Sequence, residues 1–500
     1  MSQVKHNVIA NFIGNVWVSA LSIGLVPVYV HFMGIESFGL VGIFALLQGI
    51  FNVFDLGLSS TLNRELAAAS AKGAAQEMAD LVRTLEWVYW LVAGAIAIVT
   101  VSSSPFIARH WLNNSTLSNH VVIGALILSG LVIAVRWPYS LYSGGLLGLQ
   151  KQGLFNRDKI VLETIRSAGV VIILAYVSST IYAFFLWQMV ISVLTTLLFR
   201  WTLWQNLPPI QGRASFRSSV FKKTWRFAAG MNGIAIMATI LMQTDKVILS
   251  RMLSLESFGY YTLAATVATG LYQFSGPFYN ALYPKFTQLV AIGDTNQLKL
   301  LYHKSCQLLS VLVIPVALMI SFFSKDILAL WTRSATTAAV TATVLSIMVL
   351  GTALNCLVTI PFALQLAYSW PTLTFYSNIV GVIVLVPAIF ILTHYYGAVG
   401  AALAWLALNT GYFFVVINVM HRRLLQDEKW AWYLVDIGKP FVITLTIMGA
   451  GKYALTMSAL NGAPLFFALA TLLSVTVFAT AASTRSVRTM GIKWLGKGSV

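Results

Sequence analysis

The sequence predicts an all-α integral membrane protein of about 14 transmembrane helices, set out as two pseudo-symmetric six-helix bundles plus two extra C-terminal helices. Three observations carry this. Hydrophobic residues make up 58% of the 500 and charged residues 9%, where soluble domains carry roughly 25% charge. Apolar runs of about 20 residues fill almost the whole chain, each long enough to cross a bilayer. A tetrapeptide also repeats: Glu36-Ser37-Phe38-Gly39 recurs as Glu256-Ser257-Phe258-Gly259, and at the same offset Ala45 matches Ala265, Phe54 matches Phe274 and Leu62 matches Leu282. A further echo pairs Leu149-Gln150 with Leu364-Gln365.

Taken in order, the spans fall near 8–33, 38–62, 84–104, 119–147, 161–178 and 181–204 in a first bundle occupying 1–204. A basic linker, 205–226, follows and carries Pro208-Pro209, Arg213, Arg217, Lys222, Lys223 and Arg226. The second bundle, 227–420, holds spans near 227–252, 257–283, 305–323, 336–364, 371–393 and 397–420. Two additional helices lie in 421–483, and a basic tail, 484–500, sets Arg485, Arg488, Lys493 and Lys497 around Trp494 in the pattern of an interfacial anchor. The Ala-rich loop 63–83 reads as a short helix along the membrane face. Pro27, Pro138, Pro277, Pro315, Pro361 and Pro387 sit inside spans, where each removes a backbone hydrogen bond and bends its helix.

The net charge of +17 needs no nucleic-acid partner. With these spans most Lys and Arg fall on one side, which places both termini in the cytoplasm; the basic linker is a topology signal or a contact for anionic lipid headgroups. Cys306 and Cys356 read as small buried hydrophobes. There is no phosphate-binding loop, HExxH, GxSxG or cysteine–histidine metal spacing. No catalytic residue, cofactor or metal site is expected, and the chain is not read as an enzyme. Two similar membrane halves are the pattern of an alternating-access transporter, with its site between repeats.

Charges inside spans cost about 2.5–3.5 kcal/mol or more at mid-bilayer and mark cavities or ion pairs. Four stand out: Asp55, Arg136, Asp245 and Lys246. Arg136 and Lys246 are the candidates for an anionic substrate in a central cavity, arginine for bidentate contact and lysine as a point charge. Asp55 and Asp245 are candidates for ion coupling or for structural ion pairs, Asp55 with Arg136 and Asp245 with Lys246 or Arg251. Asn11 and Asn15 share one face of the first helix and can line a cavity or bond across helices. Among the aromatics, Trp137-Tyr139-Tyr142 and Tyr272-Tyr279-Tyr283, Tyr139 is the candidate for stacking on sugar; belts and packing are the commoner role.

The stretches NVIANFIGNVW (7–17), GIESFGLVGIFALLQGIFNVFDLGLSSTLNRELA (34–67) and MNGIAIMATILMQTDKVILSRMLSLESFGYYTLA (231–264) give the chain a resemblance to the polysaccharide or O-antigen flippases of the multidrug/oligosaccharidyl-lipid/polysaccharide (MOP) exporter superfamily. That resemblance implies two six-helix bundles around a V-shaped cationic cavity. It implies an undecaprenyl-pyrophosphate-linked oligosaccharide as cargo, moved across a bacterial inner membrane for O-antigen, lipopolysaccharide or exopolysaccharide synthesis. A polymerase and glycosyltransferases of the same pathway are the implied partners. Multidrug members commonly use a carboxylate in helix one, and 8–33 contains no Asp or Glu. A cation-coupled multidrug exporter is the alternative, and a membrane-embedded polysaccharide polymerase or ligase the second.

Overall fold

Helices form every extended element of the structure, a computed structural model that describes residues 14–55, 57–113, 116–210, 212–219, 221–222, 233–458 and 460–484. Among these residues no strand occurs beyond one isolated bridge, Asn113 with Ser254. Among the described residues eleven helices are long and apolar enough to cross a membrane, so the protein is multi-pass. Of the other three expected spans, that near 161–178 lies on a helix carrying Lys159, Glu163 and Arg166, that near 257–283 is broken at Gly270, and that near 227–252 falls partly outside the described residues.

The chain divides into two compact units, Met1–Gly259 and Tyr260–Val500. The first contains α1 (Gly14–Met33), α2 (Ile35–Asn52), α3 (Leu58–Ala71), α4 (Ala75–Phe106), α5 (Asn119–Arg136), α6 (Tyr139–Gly148), α7 (Gln152–Tyr176), α8 (Ile181–Asn206) and α9 (Gly233–Met252). The stretch 63–83 is thus the end of α3 and the start of α4 rather than a separate surface helix. Helix α10 (Leu255–Thr269) starts in this unit with the second copy of the tetrapeptide.

The two copies meet. A Cβ on Gly39 would strike the Leu255 carbonyl, and one on Gly259 would strike the Ile35 carbonyl. The contact is reciprocal, so each copy needs its glycine for the other's backbone to approach.

Two broken helices lie side by side in the first unit. Helix α2 ends in a 3-10 turn, Val53–Asp55, and restarts as α3 through Gly57 in a left-handed conformation (φ 71°), which glycine adopts without steric cost. Helix α5 gives way to α6 at Trp137-Pro138. The breaks share partners. Trp137 Nε1 donates to the Phe51 carbonyl at 3.3 Å, and the Tyr89 ring lies 4.5 Å from that of Trp137. Beyond the breaks α6 runs along α3 on small residues. Cβ atoms at Gly144 and Gly148 would fall 2.6 and 2.5 Å from the carbonyls of Ser59 and Asn63. Without a hydrophobic drive inside lipid, such backbone approach is what holds membrane helices together.

The second unit comprises most of α10, then α11 (Tyr272–Ile292), α12 (Thr295–Phe322), α13 (Ser324–Thr332), α14 (Ala335–Ala367), α15 (Thr372–Tyr396), α16 (Ala398–Gly411), α17 (Ile417–Arg423), α18 (Lys439–Ser458) and α19 (Gly462–Ser483). A chain of amides and hydroxyls crosses it: Tyr272 donates to Asn355 at 3.2 Å and Asn355 to Asn409 at 2.7 Å. Cys306 and Cys356 are buried and unpaired. Asn11 and the tail 485–500 lie outside the described residues.

Candidate functional site: a cationic cluster at mid-membrane depth

Counted from the turn between Gly148 and Gln152 at ~1.5 Å per residue, Arg136 on α6's predecessor and Glu163 on α7 both stand about 16–18 Å up their helices. That is close to the middle of a ~30 Å hydrocarbon core. They form an ion pair of 2.9 Å. Arg166, one turn further along α7, reaches the same Glu163 oxygen at 3.7 Å. Lys159, one turn before, donates to Asn15 on α1 at 2.9 Å and lies within electrostatic reach of both Glu163 and Arg136. Tyr139 stands in the field of Arg136, Glu163 and Arg166, its ring edge-on to Phe199 at 4.8 Å. Trp17 ties α1 to the same helix through Thr164 at 2.8 Å. Asn15, Arg136 and Tyr139, three of the residues read from sequence as cavity candidates, therefore converge on α7.

The charges do not balance. Three cations, Lys159, Arg136 and Arg166, surround one carboxylate, Glu163. Arg166 is 5% exposed, yet its contacts are long: 3.7 Å to Glu163 and 3.5 Å to the Thr195 hydroxyl. Its Nε finds no acceptor among the described residues. A buried guanidinium left incompletely satisfied costs several kcal/mol and is fitted to accept a further anion. Arg136 remains partly accessible, 24% of its side chain exposed. Planar guanidiniums suit the oxygens of phosphate groups.

The expected pair of Asp55 with Arg136 is not made. Asp55 sits at the α2–α3 break and accepts from three hydroxyls: Ser59 at 2.9 Å, Ser140 at 3.1 Å, and Tyr89. It joins the two helix breaks rather than neutralising the arginine. Lys246 joins none of these pairs. It lies 3.9 Å from Asp245 on α9 and donates to the Met242 carbonyl at 3.1 Å. Tyr142 donates to Glu86 at 2.8 Å and Trp137 packs on Tyr89, so these two aromatics are structural. Tyr279 and Tyr283 stack on each other at 5.8 Å.

Sequence reasoning missed Lys159, Glu163 and Arg166, although their i, i+4, i+7 spacing puts all three on one face of a helix within an apolar region.

Known proteins resemble the chain in sequence and in fold. A family model described as "Polysaccharide biosynthesis protein" matches residues 29–335. A Shigella flexneri protein named "Putative O-antigen transporter" is 23% identical over 408 residues, 81% of this chain and 94% of its own length. Among solved structures, a lipid II flippase, MurJ, in an inward closed conformation superposes with a TM-score of 0.66 at 13% identity, covering 95% of this chain and 98% of the other. An inward-facing MATE multidrug-resistance transporter of the MOP superfamily gives 0.65 at 14% identity, covering 85% and 96%. The chain belongs to the polysaccharide biosynthesis protein family and has the all-helical fold of the MOP transporters.

Proposed function

We propose that the protein is a flippase that carries an undecaprenyl-pyrophosphate-linked oligosaccharide from the cytoplasmic to the periplasmic leaflet of a bacterial inner membrane, by alternating access, for O-antigen or a related surface polysaccharide. Both termini are cytoplasmic in this reading. The observation that carries it is the surplus of cations around Glu163, with Arg166 buried and incompletely satisfied. A pyrophosphate diester brings two negative charges, one for each guanidinium beside Glu163.

In the empty site Glu163 occupies Arg136 and Arg166; the arriving pyrophosphate takes them over, and the site returns to Glu163 when cargo leaves. Asp55 stands where both helices are broken, so a change in its protonation alters the bonds that join the breaks. That makes it the coupling candidate of the first unit. Lys246, on α9, remains a candidate for cargo contact and Asp245 beside it for ion coupling or a structural pair. Family membership, the Shigella relative and the flippase fold support the cargo class.

The test is a deletion strain in which lipid-linked sugars and surface polysaccharide are quantified together. Cytoplasmic-leaflet intermediate should accumulate and surface polymer fall, with rescue by the wild type but not by Arg136→Ala. Unchanged intermediates and polymer, in a strain without a second flippase, would reject the reading in favour of drug efflux.

A further inference from the structure

A second group of charges lies where α4 begins and α8 ends. Glu86 is 4% exposed and receives three donors: Arg83 at 2.9 Å, Arg200 at 2.6 Å and Tyr142 at 2.8 Å. The arginines are far from buried, with 38% and 41% of their side chains exposed. Around them opens a cavity of about 350 Å³ lined by Arg83, Glu86, Trp87, Trp90, Leu197 and Arg200. Arg83 also lies over the Trp204 ring at 5.4 Å.

The surroundings set the depth of this pocket. Further along the same two helices, away from the arginines, the outward faces are apolar: Trp87, Leu91, Leu194 and Leu197 are 63%, 73%, 49% and 52% exposed. In a membrane such a strip faces acyl chains. The arginines close it at the level where tryptophan belts and lipid phosphates sit. One turn before Arg83, Asp80 holds Arg217 of the basic segment at 2.6 Å and accepts from the Ser215 backbone N–H at 2.8 Å. The segment is thereby fastened to the same end of α4, with a third guanidinium 54% exposed.

One buried carboxylate faces two half-exposed arginines, so the pocket keeps a positive charge beside a lipid-facing aromatic wall. We propose that it binds the phosphate of an anionic phospholipid headgroup, the acyl chains lying along the Trp87–Leu91 and Leu194–Leu197 strip. Free phosphate offers the same oxygens but cannot use the strip. The assignment stands apart from the cargo and survives if the cargo reading fails.

The test is native mass spectrometry of the purified full chain with graded phosphatidylglycerol, phosphatidylcholine or inorganic phosphate. Phosphatidylglycerol should bind in preference to phosphatidylcholine and resist millimolar phosphate. Arg83→Gln and Arg200→Gln should each weaken it about fivefold, the equivalent of about 1 kcal/mol per basic residue near a lipid surface. Lys285→Gln, which removes an exposed lysine partnered by Gln288 at 2.9 Å, should change nothing. Each arginine variant leaves Glu86 one arginine and Tyr142. Trp87→Ala breaks no ion pair and should also weaken binding. Equal binding of both lipids, displacement by phosphate, or a Lys285→Gln effect as large as Arg200→Gln would overturn the proposal.

Discussion

In the first unit one carboxylate, Glu163, stands among three cations; in the second, His303 stands between two carboxylates. His303 Nδ1 pairs with Asp436 at 2.5 Å and Nε2 with Glu428 at 3.1 Å, while Lys299 reaches Glu428 at 2.7 Å. Gln307 completes Asp436 at 2.9 Å, which is 1% exposed. Contacts in the second cluster are mostly short, and it ties α12 to the segment leading into α18. Contacts to Arg166 in the first are long, and one donor has no acceptor among the described residues. A satisfied buried network fixes structure, whereas an unsatisfied one waits for something to complete it. The difference teaches that burial of charge alone does not mark a binding site; the imbalance does.

The comparison can be broken by exchanging the effects of mutations between the clusters. The largest expected effect is on stability. Asp436→Ala should lower the unfolding free energy by about 3–5 kcal/mol, the usual result of stranding one side of a buried pair, measured by thermal unfolding in detergent. Affinity for the lipid-linked cargo should persist in the folded fraction. Next comes Arg136→Ala, which should weaken cargo binding about 10- to 100-fold, the range for a hydrogen bond to a charged group, while unfolding moves little.

Gly144→Val sharpens the reading of the broken helices. Its side chain must displace the Ser59 backbone, at a cost of about 1–3 kcal/mol, and the same thermal assay reports it. Glu163→Gln should act in the opposite sense to Arg136→Ala. Freeing the cations should tighten anion binding by at most about fivefold, since partly exposed pairs contribute up to about 1 kcal/mol.

The smallest effect is one of pH. The hydrogen bond from Lys299, then the charges of His303 and Lys299, hold the Glu428 carboxyl below its ordinary 4.5 against the opposing effect of burial. A depressed carboxylate stabilises the fold above its unfolded value, and the gain is lost as pH falls through the folded one. Melting temperature should therefore drop below about pH 4.5, and Lys299→Met should flatten that drop.

Much of the fold was legible. Composition and run length gave membrane helices, and the repeated Glu-Ser-Phe-Gly proved to be a reciprocal contact in which each glycine admits the other copy's backbone. The pattern Ser140-xxx-Gly144-xxx-Gly148 was equally readable as the face that packs on α3, and went unread. The site was legible only in part, because depth along a helix does not give the direction a side chain takes around it. Asp55 and Arg136 were expected as an ion pair, yet Asp55 turns to hydroxyls and Arg136 to α7. The three charges of α7 were hidden by the apolar residues between them, and their common face emerges only when the helical period is applied.

The measurement that tests the central claim most directly is equilibrium binding of undecaprenyl-pyrophosphate-linked oligosaccharide to the purified protein, beside its monophosphate analogue, for wild type and Arg136→Ala. The account predicts that the wild type prefers the pyrophosphate and that the variant, still folded, loses most of that preference. Equal affinity for both lipids, or a preference that Arg136→Ala leaves intact, would contradict it.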